Sequence, residues 1–212
     1  MWKFAIPAIF FLTSSVHAGI TFTIGNNPQA NEENVQFNSD SSGTAVFGQT
    51  NQQGITVQFS SASSTLVVSS SGQAKVAAES GSLTNITVSV PGGSFQDLIV
   101  NPINGAGQAT YTVVANEPGG GTHTSTFTTT LANGNNFLTI VAGSGETISS
   151  VTIDASGGFA DLRQPRISGA TLGTNPSVTP VPEPGTIVIV MGLGSVALSA
   201  RYRRQGARLI AR

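Results

Sequence analysis

"ATYTVVANEPGGGTHTSTFTTT" runs from Ala109 to Thr130 and carries the pattern on which the fold is read. Ala109 to Val114 sets Tyr111 and Val113 on one side. Further on, Thr122, Thr124, Thr126, Thr128 and Thr130 recur every second residue, with His123, Ser125, Phe127 and Thr129 between them. A period of two belongs to a β-strand, whose successive side chains point to opposite faces. Glu117 to Gly121, "EPGGG", separates the two stretches with residues that favour turns. Threonine is β-branched and packs well on a pleated surface, so five hydroxyls in line read first as a solvated strand face. O-glycosylation or a flat hydrated binding surface is the other reading.

The same alternation recurs along the chain. "GITVQF" places Ile55, Val57 and Phe59 together, and "ITVSV" does so for Ile86, Val88 and Val90. Further strands are predicted at residues 20–24, 65–69, 95–100, 137–142 and 148–153. Turn-forming clusters stand between them: "PGG" at 91–93, "NGNN" at 133–136 and "SGG" at 156–158. Long helical periodicity is missing, and no internal repeat suggests a solenoid or propeller. Short strands at this spacing predict an all-β fold, an antiparallel β-sandwich of the jelly-roll kind. Half-buried sheets also account for a chain with only 9% charged residues.

Both ends read as addresses. "MWKFAIPAIFFLTSSVHAG" has the three parts of a secretory signal peptide: Lys3, an apolar run from Phe4 to Leu12, and a small-residue cleavage site that puts the cut between Ala18 and Gly19. At the other end, residues 174–181 read as a proline-rich linker. Pro182-Glu183-Pro184 follows, then an uncharged stretch, then Arg201, Arg203 and Arg204. Sixteen residues from Gly185 to Ala200 would rise about 24 Å as a helix, short of a hydrocarbon core of about 30 Å. The arginines can snorkel to the headgroups and hold that end in the cytoplasm, which leaves the ectodomain outside.

The order Pro-Glu-Pro, short glycine-containing apolar helix and arginine cluster resembles the PEP-CTERM sorting signal of Gram-negative bacteria, which exosortase, a membrane-embedded cysteine-protease-like transpeptidase, recognises. The resemblance implies that Pro182, Glu183, Pro184, Arg201, Arg203 and Arg204 are recognition residues, that processing occurs near the Pro-Glu-Pro, and that the product is transferred to the surface or released. The alternative is a plain membrane anchor behind a stalk. Residues 135–169, "NNFLTIVAGSGETISSVTIDASGGFADLRQPRISG", are similar to the closing segment of a recurrent ectodomain among PEP-CTERM proteins, which again implies a β-sandwich. The expected organisation is a signal peptide at 1–18, an ectodomain at 19–173, a linker at 174–181, a sorting signal with a single transmembrane helix at 182–204, and a cytoplasmic tail at 205–212.

Chemistry is sparse between the addresses. Residues 19–180 hold nine acidic side chains against three basic ones, Lys75, Arg163 and Arg166, a net charge of −6. Nucleic-acid binding needs the opposite sign. Without cysteine no disulfide can form. One histidine, His123, supports neither a triad nor a zinc site. Asp154 and Asp161 are weak calcium candidates because carboxylate oxygens suit that ion, although no EF-hand loop accompanies them. Asp161, Arg163 and Arg166 read as a local charge cluster, Phe159 and Ala160 as the start of a core contact, and the eight phenylalanines from Phe22 onward as core.

The sequence therefore predicts a non-enzymatic, cofactor-free protein of the cell surface or extracellular matrix, with a structural or adhesive role in exopolysaccharide or biofilm. The expected partners are signal peptidase and the secretion machinery, the inner membrane transiently, exosortase, and exopolysaccharide. The alternative is a lectin-like polysaccharide-binding module or a glycan-active enzyme on the same scaffold. With so few exposed rings, any glycan would be gripped by polar loops.

Overall fold

The computed structural model describes residues 19–70 and 74–173. The expected signal peptide up to Ala18, and the linker, sorting signal, membrane segment and tail from Thr174 onward, lie outside the described residues. Among those described, no helix is long and apolar enough to cross a membrane.

Strands form where apolar residues alternate. In chain order they are β1 (Thr21–Ile24), β2 (Glu33–Gln36), β3 (Ser41–Gly43), β4 (Ala45–Thr50), β5 (Thr56–Ser60), β6 (Leu66–Val68), β7 (Lys75–Ala78), β8 (Leu83–Ser89), β9 (Gly93–Ser94) and β10 (Asp97–Ile103). They continue with β11 (Gln108–Asn116), β12 (Thr122–Thr130), β13 (Leu138–Val141), β14 (Thr147–Phe159), β15 (Asp161–Ser168) and β16 (Thr171–Leu172). Every pairing is antiparallel. One layer runs β1-β13-β10-β15 and continues through β7 to β6 and β3; the other runs β4-β5-β8-β14-β11-β12. Strand β2 belongs to both, since Glu33 and Asn34 pair with β15 while Val35 and Gln36 pair with β4.

The two ends of this path, β1 and β12, meet through Phe22 and Phe127, whose rings stack with centroids 5.2 Å apart. The result is an all-β, jelly-roll-like and nearly closed barrel. Its core is the set of inward positions: Val57 and Phe59 of β5, Ile86 and Val88 of β8, Tyr111 and Val113 of β11, Val151 and Ile153 of β14, facing Leu98, Ile140, Leu162 and Ile167. Burying a side chain such as Phe59 contributes roughly 1.5–3 kcal/mol, so these faces supply stability without covalent staples.

The predicted hairpin turn at "EPGGG" joins β11 to β12, whose nine residues pair in unbroken register. The predicted break at "SGG" is different. β14 runs through it as one strand, and the glycines absorb a register shift against β8 between Asp154 and Phe159, with Gly158 at φ 69°. Phe159 is buried as expected, but Ala160 is exposed. Phe47 departs from the expected core and is 55% exposed on β4.

Strand β2 lies tight against β4 at Gly48, where a Cβ would approach Val35 Cγ1 to 2.6 Å and Gln36 O to 3.0 Å. Gly48→Ala is therefore expected to destabilise the domain by about 1–3 kcal/mol, the usual range for overpacking. Urea denaturation checks this, and an unchanged midpoint would show that β2 can give way.

Candidate functional site

Strand β15 needs two partners on one side, and a local irregularity lets it take both. Asp161 to Arg163 pair with Ala77 to Lys75 of β7, whereas Arg166 and Ile167 pair with Asn34 and Glu33 of β2. Between them Gln164 adopts the left-handed region, φ 51°, donates its N–H to Ala74 O at 3.0 Å, and leads into Pro165, which has no N–H to pair. The register against β10 shifts at the same place, between Ile99 and Asn101.

The split between β7 and β2 is a cleft of about 530 Å³, lined by Asn26, Asn34, Gln36, Ala74, Gln164 and Arg166 among others. Two further hollows adjoin it through Gln36. One, of about 330 Å³, reaches Phe37, Asn38 and Ser70. The other, of about 210 Å³, reaches Gln49, Thr56 and the exposed ring of Phe47. Together they trace an open groove over β2 with an aromatic ring at one end and Arg166 at the other.

Side-chain amides dominate this surface. Asn38 donates to Gln49 Oε1 at 2.8 Å, but the carboxamides of Asn34, Gln36 and Gln164 have no protein partner among the described residues. Each offers one acceptor and two donor hydrogens. The strand beneath them is held firmly by Glu33, whose carboxylate accepts Gln52 N at 2.9 Å, Gln53 N at 2.9 Å and Gln53 Nε2 at 2.6 Å. Burial alone would push that carboxyl up, yet these donors together hold it below its ordinary value.

Behind the Arg166 end lies a small polar layer. The loop from Gly25 to Glu32 folds over the outer faces of β13, β10 and β15: Thr139 Oγ1 accepts Asn27 N at 3.0 Å and donates to Gly25 O at 2.9 Å. Arg166 reaches the same loop, with Nη1 3.2 Å from Glu32 Oε2 and Nη2 donating to Asn26 Oδ1. Its Nε is buried and has no partner among the described residues. Next to it Asp97, 3% exposed, accepts the Ser168 hydroxyl on Oδ2, while Oδ1 has no partner among the described residues. Burial pushes the Asp97 carboxyl up to about 6, and the nearby charge of Glu32 adds to it against the lowering effects of Ser168 and Arg166.

Of the charged residues singled out in the sequence, Arg166 lines this groove and the others fall elsewhere. Arg163 forms a two-pronged pair with Asp161, Nε to Oδ1 at 2.6 Å and Nη2 to Oδ2 at 3.0 Å. Arg166 does not join them and pairs with Glu32 instead, because the bulge at Gln164 carries it to the β2 side. Asp154 is exposed on β14 and accepts Asn85 Nδ2 at 2.7 Å. It lies in the layer opposite that of Asp161, and among the described residues no three His, Cys, Asp or Glu side chains gather as a metal site needs. His123 sits 3.5 Å from Glu117 across the hairpin end. The five alternate threonines of β12 are all exposed. The sorting residues Pro182, Glu183, Pro184, Arg201, Arg203 and Arg204, and Ala18 of the cleavage site, lie outside the described residues; Gly19 is exposed.

The chain carries a PEP-CTERM protein-sorting motif, matched over residues 180–204. That motif links it to an exosortase-type sorting system and to export. No curated protein matches the chain. Among solved structures it is similar to the enzymatically active domain of tailspike protein 4 of bacteriophage CBA120, with 11% identity over 72% of this chain and 19% of that one and a TM-score of 0.24. It is also similar to a mutant of a family 29 carbohydrate-binding module, with 12% identity over 71% of this chain and 89% of that one and a TM-score of 0.22. The expectation of a non-enzymatic chain is corrected here, since one of these structures is an enzymatically active domain. Folding brings Glu32 and Asp97, far apart in the chain, within electrostatic reach of each other. Likenesses this distant assign no activity.

A carboxyl raised in the folded state favours the native protein most at low pH, and that contribution is lost as pH rises from about 4 through about 6. Asp97→Asn is expected to keep the Ser168 bond, raise stability at pH 7.5 by about 1–3 kcal/mol, and leave it little changed at pH 4. Urea midpoints at the two pH values check this; equal shifts at both would remove Asp97 as the titrating group.

Proposed function

We propose that this is an exported surface protein, sorted through its PEP-CTERM motif, whose β-sandwich binds a polysaccharide along the groove over β2. The observation that carries the reading is the groove itself: adjoining hollows joined through Gln36, lined by unpaired carboxamides and ended by Phe47. Sugar hydroxyls donate and accept at once, as carboxamides do, and an open groove admits the middle of a chain where a closed pocket would not. Phe47 gives a pyranose face an apolar platform. Most contacts are polar and wet, so affinity per site is modest and retention comes from many copies on one polymer.

In this reading cleavage between Ala18 and Gly19 removes residues 1–18. The segment from Pro182 to Arg204 then holds the chain in the inner membrane until exosortase acts near Glu183. The released domain is kept in the surface glycan layer by its groove, which is how an adhesive or structural role in exopolysaccharide would be exercised.

Affinity electrophoresis through gels containing neutral or acidic bacterial polysaccharides tests the groove. Retardation of the wild-type domain by at least one polymer is expected, with Phe47→Ala or the double change Gln36→Ala and Gln164→Ala weakening it about tenfold, a loss of about 1.4 kcal/mol. Retardation by none of the polymers, or variants that migrate like wild type, would end the reading. For sorting, Glu183→Ala is expected to leave full-length chain in the membrane fraction while wild type appears shortened outside; indistinguishable fractions would refute that step.

A further inference from the structure

Strand β12 ends its layer, and the edge it turns away from β11 pairs with no described strand. Strand β1 meets its inner face, where Phe22 stacks on Phe127, and no backbone ladder joins the two. The hydrogen bonds of the β11–β12 hairpin decide which backbone groups lie along the open edge. At one end Glu117 donates its N–H to Gly121 O at 3.1 Å, and at the other Leu131 donates to Gly107 O at 2.8 Å. The register between these points is unbroken, so bonded and non-bonded pairs alternate throughout. His123, Ser125, Phe127 and Thr129 fall at the bonded positions. Thr122, Thr124, Thr126, Thr128 and Thr130 fall at the others, which turns their N–H and C=O groups to the open edge. The same five residues carry the exposed side chains.

Open edges are normally blunted by shortness, charge, proline or a bulge. Strands β1 and β3, which also end a run of pairing, have four and three residues. Strand β12 has nine, without Asp, Glu, Lys, Arg or Pro, and it makes no bulge against β11. Tyr111 and Phe22 hold Phe127 from within, so the strand is presented in one form.

The strand complements itself. Run antiparallel about Thr126, a second copy sets Thr126 against Thr126, Thr124 against Thr128 and Thr122 against Thr130. Each becomes a hydrogen-bonded pair, and threonine opposite threonine is a favourable cross-strand contact. Charge favours the same approach: residues 19–180 carry a net charge of −6, so two copies repel in general, whereas β12 brings no acid against acid. The chain's own linker is a poor occupant, because Pro176 and Pro180 have no N–H to give a ladder.

We propose that β12 is a self-association edge, through which two copies of this chain pair antiparallel about a two-fold axis at Thr126. Both threonine rows then lie on one face of a continuous sheet. Such an interface uses the same patch on each copy and closes on itself, so it makes a dimer and not a fibre. Strand β2 takes no part in it, and the dimer does not depend on what the groove binds.

The chain has no cysteine, so one introduced thiol reports cleanly. In the full chain Thr126→Cys is expected to form a covalent dimer under mild oxidation, because Cα atoms of a hydrogen-bonded pair stand about 5.5 Å apart, within disulfide reach. Ser80→Cys, on an exposed turn, is expected to stay monomeric. Sedimentation of residues 19–173, which hold the whole described core, is expected to show a reversible monomer–dimer equilibrium below about 1 mM. Thr126→Lys sets two like charges face to face and is expected to weaken that dimer at least about tenfold without lowering the melting temperature. Ser80→Lys, the same change of net charge elsewhere, is expected to leave it intact. A monomer at every concentration, open-ended oligomers, an undiminished dimer in Thr126→Lys, or equal cross-linking of the two cysteine variants would overturn the proposal. Should Thr126→Lys fail to fold, the cysteine pair decides alone.

Discussion

The architecture turns on the demand made of β15, which must pair with β10 along one edge and with two different strands along the other. A regular strand cannot do this, because β7 and β2 do not lie end to end in one register. The left-handed turn at Gln164 followed by Pro165 breaks the ladder where the partner changes. Three consequences follow from this one irregularity: β2 is free to bridge the two layers, a cleft opens between its neighbours, and Arg166 is carried out of reach of Asp161 to meet Glu32. A non-glycine residue held at positive φ costs free energy, of order 1–3 kcal/mol where the surroundings enforce it, and such strain concentrates at sites that do something.

The sequence revealed the inner faces well because burial imposes a period of two on them. Val57, Phe59, Ile86, Val88, Tyr111 and Val113 are all core residues, as their spacing indicates. It was poor at β2, β4 and β7, where "ENVQ", "AVFGQT" and "KVAA" are too short or too polar to alternate clearly. Those strands build the groove, so the candidate site was hidden for the same reason. Glycine misled in one place. "SGG" has turn composition, but a long strand with a bulge needs the same conformational freedom as a turn.

Acidic and basic partners were still harder to read. Arg166 and Glu32 are far apart in sequence, and the pairing of β15 with β2, which sets Arg166 opposite Asn34, makes them neighbours. The Gly25–Glu32 loop lies near Asp97 at one end of β10, and Asn135 and Asn136 bond to Asn101 towards the other, so β10 is buried on both faces. A single-sided alternation rule assumes water on the far side, and here a second, polar layer replaces the water.

The threonine row of β12 presents five exposed hydroxyls and no charged side chain. Neutral hydroxyls hold water by hydrogen bonding and attract no ion atmosphere, so dissolved salt has little to screen on this face. Hydration of the sheet is then set by chemistry that changes little with the salt content of the surroundings.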